Sequence, residues 1–178
     1  MGFMMKKTLI ILVLLVAVAG IVGFTSFNKN VEEVVGHIDD KAITTSELQN
    51  YVDTLLGVTY EKKMDTKEGR QELFNHYVNR TLLLEYAKQN IKEDDSFVVS
   101  HTMGEVSQES ALISAVLKKE INDKVKYTKN DVLDLAHKDF KFKDIEAAER
   151  EIISQKRLEL FGKLMEGIKA KHKISLAG

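Results

Sequence analysis

The chain has 178 residues, 44% apolar and 30% charged, with 26 basic residues against 27 acidic ones. That is enough for one folded domain with an appendage, and the balanced charge gives no ground for a nucleic-acid partner. Cysteine and proline are both absent, which excludes disulfides, thiolate catalysis and cysteine-ligated zinc and favours helices over a β-sandwich.

Lys6 and Lys7 precede an uncharged run, Thr8–Asn28, with its apolar heart at Leu9–Phe24. At ~1.5 Å rise per residue the run spans ~30 Å, the thickness of a bilayer core. It reads as an export segment. Ala17-Val18-Ala19 is a small-x-small triplet that suits cleavage of a signal peptide. Ile21, Val22 and Phe24 continue the apolar run past it, which suits an uncleaved anchor better. A buried helix of the globular domain is the third option. Lys6 and Lys7 hold their end of an export segment in the cytoplasm. The chain therefore divides into residues 1–30, a signal peptide or N-terminal membrane anchor, and residues 31–178, a domain in the periplasm or on the extracytoplasmic face of the cytoplasmic membrane.

Val34–Ile38 is a β-branched run, Asp39-Asp40 a turn, and Lys41-Ala42-Ile43 a returning strand. Thr44 and Glu47 have the spacing of a capping box. The helix they open carries Leu48, Tyr51, Val52 and Leu55 on one side and stops near Gly57. Residues 57–67 read as a polar connection. A long helix follows over 68–90, with Leu73, Phe74, Tyr77, Val78, Thr81, Leu84 and Ala87 on one face and Leu82 and Leu83 widening it. Asn90 is placed to cap its end.

Helical spacing from Val99 to Val125 predicts one helix over about 96–126, with Gly104 as a possible break. Thr128 and Asp131 mark another start, leading into Val132, Leu133, Leu135 and Ala136. A charged and aromatic joint over 138–143 leads to a last helix over 144–171, whose apolar face includes Ile145, Ala148, Ile152, Leu160, Phe161, Leu164 and Ile168. Lys173–Leu176 reads as a final strand. A lone hairpin is marginal in water, so the two ends are expected to meet in one small sheet. The fold class is mostly α.

Signals for catalysis are weak. The histidines at 37, 76, 101, 137 and 172 form no metal-binding pair at helical spacing. There is no glycine-rich phosphate loop and no G-x-S-x-G elbow. Asp39-Asp40 and Asp94-Asp95 are explained by a turn and a helix cap. Asn79-Arg80-Thr81 fits a glycosylation sequon but lies in the middle of a helix. No catalytic residue, metal site or cofactor is expected.

Taken in order, these segments resemble SurA- and PrsA-type foldases. The carriers are the hairpin Val34–Thr44, then Leu48 and Tyr51-Val52, then Arg70, Leu73, Tyr77-Val78, Arg80, Leu82-Leu83-Leu84, Ala87 and Ile91. Tyr127-Thr128-Lys129-Asn130-Asp131-Val132 and residues 152–174 complete the match over about 32–178. The resemblance implies a SurA N-terminal-like helical chaperone domain with a small sheet. Such foldases usually carry a parvulin-type prolyl isomerase domain between the last two helices, but here only Phe140–Lys143 joins them, so the catalytic part is expected to be missing.

The resemblance and the export segment together imply an ATP-independent cell-envelope chaperone that binds unfolded or partly folded exported proteins. Tyr51, Leu55, Tyr60 and Met64 are the candidate client contacts, with core packing or loop anchoring as the alternative for each. Residues 8–28 contact the membrane if uncleaved, and long helices permit a homodimer by swapping. Two other readings stand beside this one: an isomerase-family member with residual activity, and an adaptor for one envelope partner.

Overall fold

The computed structural model describes residues 32–104, 106–138 and 144–177. The export segment and most of the joint at 138–143 lie outside the described residues. The described residues are mostly helical, with one three-stranded antiparallel sheet in the order β2-β1-β3.

Strands β1 (Val34–Ile38) and β2 (Lys41–Thr44) form the expected hairpin, with Ile38 opposite Lys41 and His37 opposite Ala42. Asp39 takes the turn at a φ of 53°, a left-handed conformation that Asp tolerates better than most residues with a Cβ. Strand β3 (Ile174–Leu176) pairs with the other edge of β1, Gly36 opposite Leu176 and Ile38 opposite Ile174. The two ends of the domain thus meet as the sequence predicts. Asp39 fastens them: its amide donates to the Lys173 carbonyl (2.7 Å), and its carboxylate receives the Lys173 amide (2.8 Å) and contacts His172 Nδ1 (2.8 Å). Gly36 has a different task. A Cβ there would lie 2.6 Å from both the Phe74 ring and the Ser175 carbonyl oxygen, so its bareness lets β3 and Phe74 close on β1.

Helix α1 (Thr45–Tyr51) opens with the predicted capping box. Glu47 N donates to Thr44 Oγ1 (3.3 Å), and Thr44 N donates to Glu47 Oε2 (3.2 Å). Its continuation widens into a π-helical turn, Val52–Leu56, which Gly57 ends at a φ of 74°. The expected polar connection is instead a 3-10 helix, Val58–Asp65. It is held by the start of α2 (Lys67–Asn90): Arg70 Nη1 donates to the Met64 carbonyl (3.0 Å). Gly69 permits the approach, since a Cβ there would sit 2.1 Å from the Lys63 carbonyl oxygen.

The helix predicted over 96–126 divides near Gly104, the break the sequence offers. Helix α3 (Ser96–Thr102) ends where Thr102 Oγ1 turns back onto the carbonyls of Val98 and Val99, and Ser107 caps a new helix, α4 (Gln108–Glu120). The break lets Val98 and the α4 face of Ala111, Leu112, Ala115 and Val116 enter the same core, which one straight rod could not do. A short 3-10 turn, Asn122–Lys124, leads toward α5 (Lys129–Lys138). The reciprocal bonds of Thr128 and Asp131 begin α5 as predicted. Helix α6 (Ile145–Lys169) is capped by Asp144 and leads to β3.

The described residues form two hydrophobic cores. The main one gathers Val35, Ile38 and Ile43 from the sheet, Leu48 and Val52, the inner face of α2, α3–α4, and Met165 and Ile168 of α6. The second holds Val132 of α5 with Ala148 and Ile152 of α6. Ile145, expected on the buried face, is 57% exposed, because it borders an open cavity between α5 and α6.

Candidate functional site

The end of α1 and the 3-10 helix pack against the first half of α2, and the π turn links them. Tyr51 is buried there, its hydroxyl hydrogen-bonded to His76 Nδ1 (2.6 Å) and its ring edge-on to Tyr77 (5.3 Å). Burial pushes the Tyr51 phenol pKa up, while the positive charge of Arg80 opposes that rise. The Tyr60 ring lies 6.3 Å from the His76 ring, and Lys63 Nζ sits 5.7 Å above Tyr60. Tyr60 and Met64 are half-buried against the main core. Leu55 turns outward at 51% exposure, next to Val58 at 77%. Of the four residues singled out from the sequence, Tyr51 and Tyr60 therefore meet around His76. Met64 anchors the loop, and Leu55 faces solvent. Tyr51 packs inside the domain because it faces α2, where His76 and Tyr77 meet it.

His76 also belongs to a cavity of about 390 Å³. One wall is α2, with His76, Asn79, Arg80 and Leu83. The others are Ile113 and Leu117 of α4 and Phe161 of α6. Four of these seven residues are apolar and none is acidic. The polar exceptions are unusual. Asn79 Oδ1 and Arg80 Nη2 are buried with no hydrogen-bond partner among the described residues, although buried polar groups are normally paired. The helix periodicity makes α2 a core element but gives no sign that Asn79 and Arg80 share a cavity. The available signal is a polar pair set between Val78 and Leu82 on a helix enclosed from several sides. Ile113, Leu117 and Phe161 read in the sequence as ordinary core residues, and only the packing of three helices shows that they leave a space.

A second apolar cavity, about 280 Å³, lies between α5 and α6 and is lined by Tyr127, Val132, Leu133 and Ile145 with Lys129 and Glu149. Tyr127 closes one side through a hydrogen bond to Glu149 Oε1 (2.6 Å). A more polar cleft nearby, about 370 Å³, holds Asp131, Asp134, Lys156 and Glu159. Among the described residues no group of His, Asp and Glu could hold a metal ion, and no helix is long and apolar enough to cross a membrane.

A family model described as the SurA-like N-terminal domain matches residues 2–98, more than half of the chain. A search of curated proteins finds no match. The matched segment contains the hairpin, α1, the loop and the whole of α2, and so the polar wall of the larger cavity; its α4 and α6 walls lie beyond the match. The sheet that joins both ends, the helical body and this match agree, and the chain belongs to the SurA-like N-terminal domain family, a chaperone-type family.

Proposed function

We propose that this protein is an ATP-independent chaperone of the cell envelope that binds unfolded or partly folded exported polypeptides. The observation that carries the reading is the cavity of about 390 Å³ on α2, whose apolar walls come from three helices. Clefts of about 300–1,000 Å³ with apolar walls and a few polar groups are the usual form of ligand sites. Leu55 and Val58 add exposed apolar surface on the neighbouring loop, and such surface commonly marks interaction sites. Clients bind through many weak contacts and leave by folding or transfer. Residues 8–28 direct the chain to the periplasm or hold it at the outer face of the cytoplasmic membrane, where tethering raises its local concentration near emerging clients.

In this reading the protein binds chains without isomerising them. The support is the short path between α5, which ends at Lys138, and α6, which begins at Ile145. That path leaves no space for a parvulin domain.

The test is suppression of aggregation by the full chain in mild detergent, with several unrelated denatured proteins as clients. Broad suppression at near-stoichiometric amounts is expected, with weaker suppression by the Leu117→Gln and Phe161→Ala variants. A well-folded chain that suppresses nothing, yet pulls down one stoichiometric envelope protein, would replace this reading with a dedicated adaptor.

A further inference from the structure

The polar wall of the α2 cavity is incomplete. Arg80 is half-buried with its Nη2 atom fully enclosed, and no carboxylate pairs with it among the described residues. Among the described residues its Nη2 has no acceptor, and the adjacent Asn79 Oδ1 has no donor. Leaving such groups unpaired is costly, most of all for a charged one. Apolar neighbours also lower the local dielectric and strengthen any charge that pairs with it. Around this cation stand Leu83, Ile113, Leu117 and Phe161.

We propose that the cavity selects client segments in which one acidic side chain is flanked by apolar ones. The carboxylate seats on the Arg80 guanidinium, and the flanking side chains lie against Leu83, Ile113, Leu117 and Phe161. Asn79 Oδ1 accepts a backbone N–H of the same segment. The inference rests on the client-binding reading above and adds its specificity. Charge complementarity carries it: the lining has a permanent cation, no acid and mostly apolar surface. The planar fork of Arg matches a carboxylate in two parallel hydrogen bonds. Arg80 would thus decide which unfolded segments are held, while the apolar walls supply most of the affinity.

The experiment is fluorescence anisotropy with the full chain in mild detergent and a labelled peptide, acetylated and amidated at its ends, with Leu-Glu-Phe at its centre. Its comparison is the same peptide with Gln in place of Glu. The Glu peptide is expected to bind about tenfold more tightly. Arg80→Gln should remove that difference, and Arg80→Lys should keep part of it. Circular dichroism and thermal melting establish that both variants are folded. Equal binding of the two peptides by the unaltered protein overturns the proposed specificity while leaving client binding intact. A preference that survives Arg80→Gln also overturns it. Recovery of tight binding by a Gln peptide with a free C-terminus assigns the site to chain ends and overturns the choice of an acidic side chain. If neither peptide nor any denatured client binds, the chaperone reading itself falls.

Discussion

The main body and the arm formed by α5 and the first half of α6 are built with the same local chemistry and very different depth of packing. Both begin a helix with a threonine and an acidic residue in reciprocal hydrogen bonds, Thr44 with Glu47 and Thr128 with Asp131. The main body then covers its helices with a core that includes the fully buried Phe74, Leu48 and Ile43. The described part of the arm buries only Val132, Ala148 and Ile152, with Leu135 and Ala136 at the edge. Between the two regions, α6 runs through Leu158, which is 72% exposed. A good cap starts a helix, but helical stability in proteins comes mainly from packing an apolar face. The arm should therefore open at lower free energy than the body, as regions with few buried apolar contacts do.

The strongest way to break this comparison is Phe74→Ala. The ring fills the space above Gly36, and its loss should cost about 3–5 kcal/mol. Urea denaturation should show a large fall in the single global transition; a small one would mean that the sheet and α2 close the gap. Next is Ile152→Ala, at 7% exposure, with an expected cost of about 2 kcal/mol confined to the arm. Hydrogen exchange should show lost protection in α5 and the first half of α6 while the global midpoint stays in place. An equal shift of that midpoint would show that the two regions unfold as one.

The two caps sharpen the comparison further. Thr44→Ala should lower global stability by about 1 kcal/mol. Thr128→Ala should speed exchange in α5 and leave the global midpoint unchanged. Equal effects on the midpoint would again join the regions into one unit.

The smallest expected effect is electrostatic. The hydrogen bonds from His172 and the Lys173 amide hold the Asp39 carboxyl pKa below the usual carboxylate value. A lowered folded pKa means a contribution that is full above the ordinary carboxylate range and is lost as the pH falls through the folded value. Asp39→Asn should therefore lower the melting temperature at neutral pH and flatten its decline in acid. An unchanged acid limb would show that this clasp does not couple the two ends of the domain. Asp131 is held low in the same sense by the Thr128 amide and hydroxyl, so acid should also loosen the start of α5.

Much of the fold was legible because its signals are local. Val34–Ile38 and Lys41–Ile43 are β-branched runs around an Asp-Asp turn, and the threonines at 44 and 128 stand three residues before their acidic partners. Joining the ends followed from one physical demand, that a hairpin needs more than two strands. Other features had no local signature. The 3-10 helix at 58–65 is shaped by the docking of Lys63 onto Gly69. The break between Thr102 and Gln108, by contrast, had its sign in Gly104, while its exact place depends on Thr102, whose hydroxyl bonds back to its own helix, and on the demand of both halves for the same core. Of the proposed contacts, the sequence placed Tyr51, Leu55, Tyr60 and Met64 in one neighbourhood, but their outward or inward direction depends on how the loop folds back.

The sequence by itself determined where most of the helices and strands begin, that the two ends belong together, and that the chain resembles a chaperone family. Those properties follow from spacing, caps and β-branched runs, which act over a few residues. Only the tertiary structure decided that Asn79 and Arg80 share a wall with Ile113, Leu117 and Phe161, and that the apolar faces of the helices divide between a deep core and a shallow one. A cavity is the space that several helices fail to fill, so it is set by how they cross and not by the pattern of any one of them.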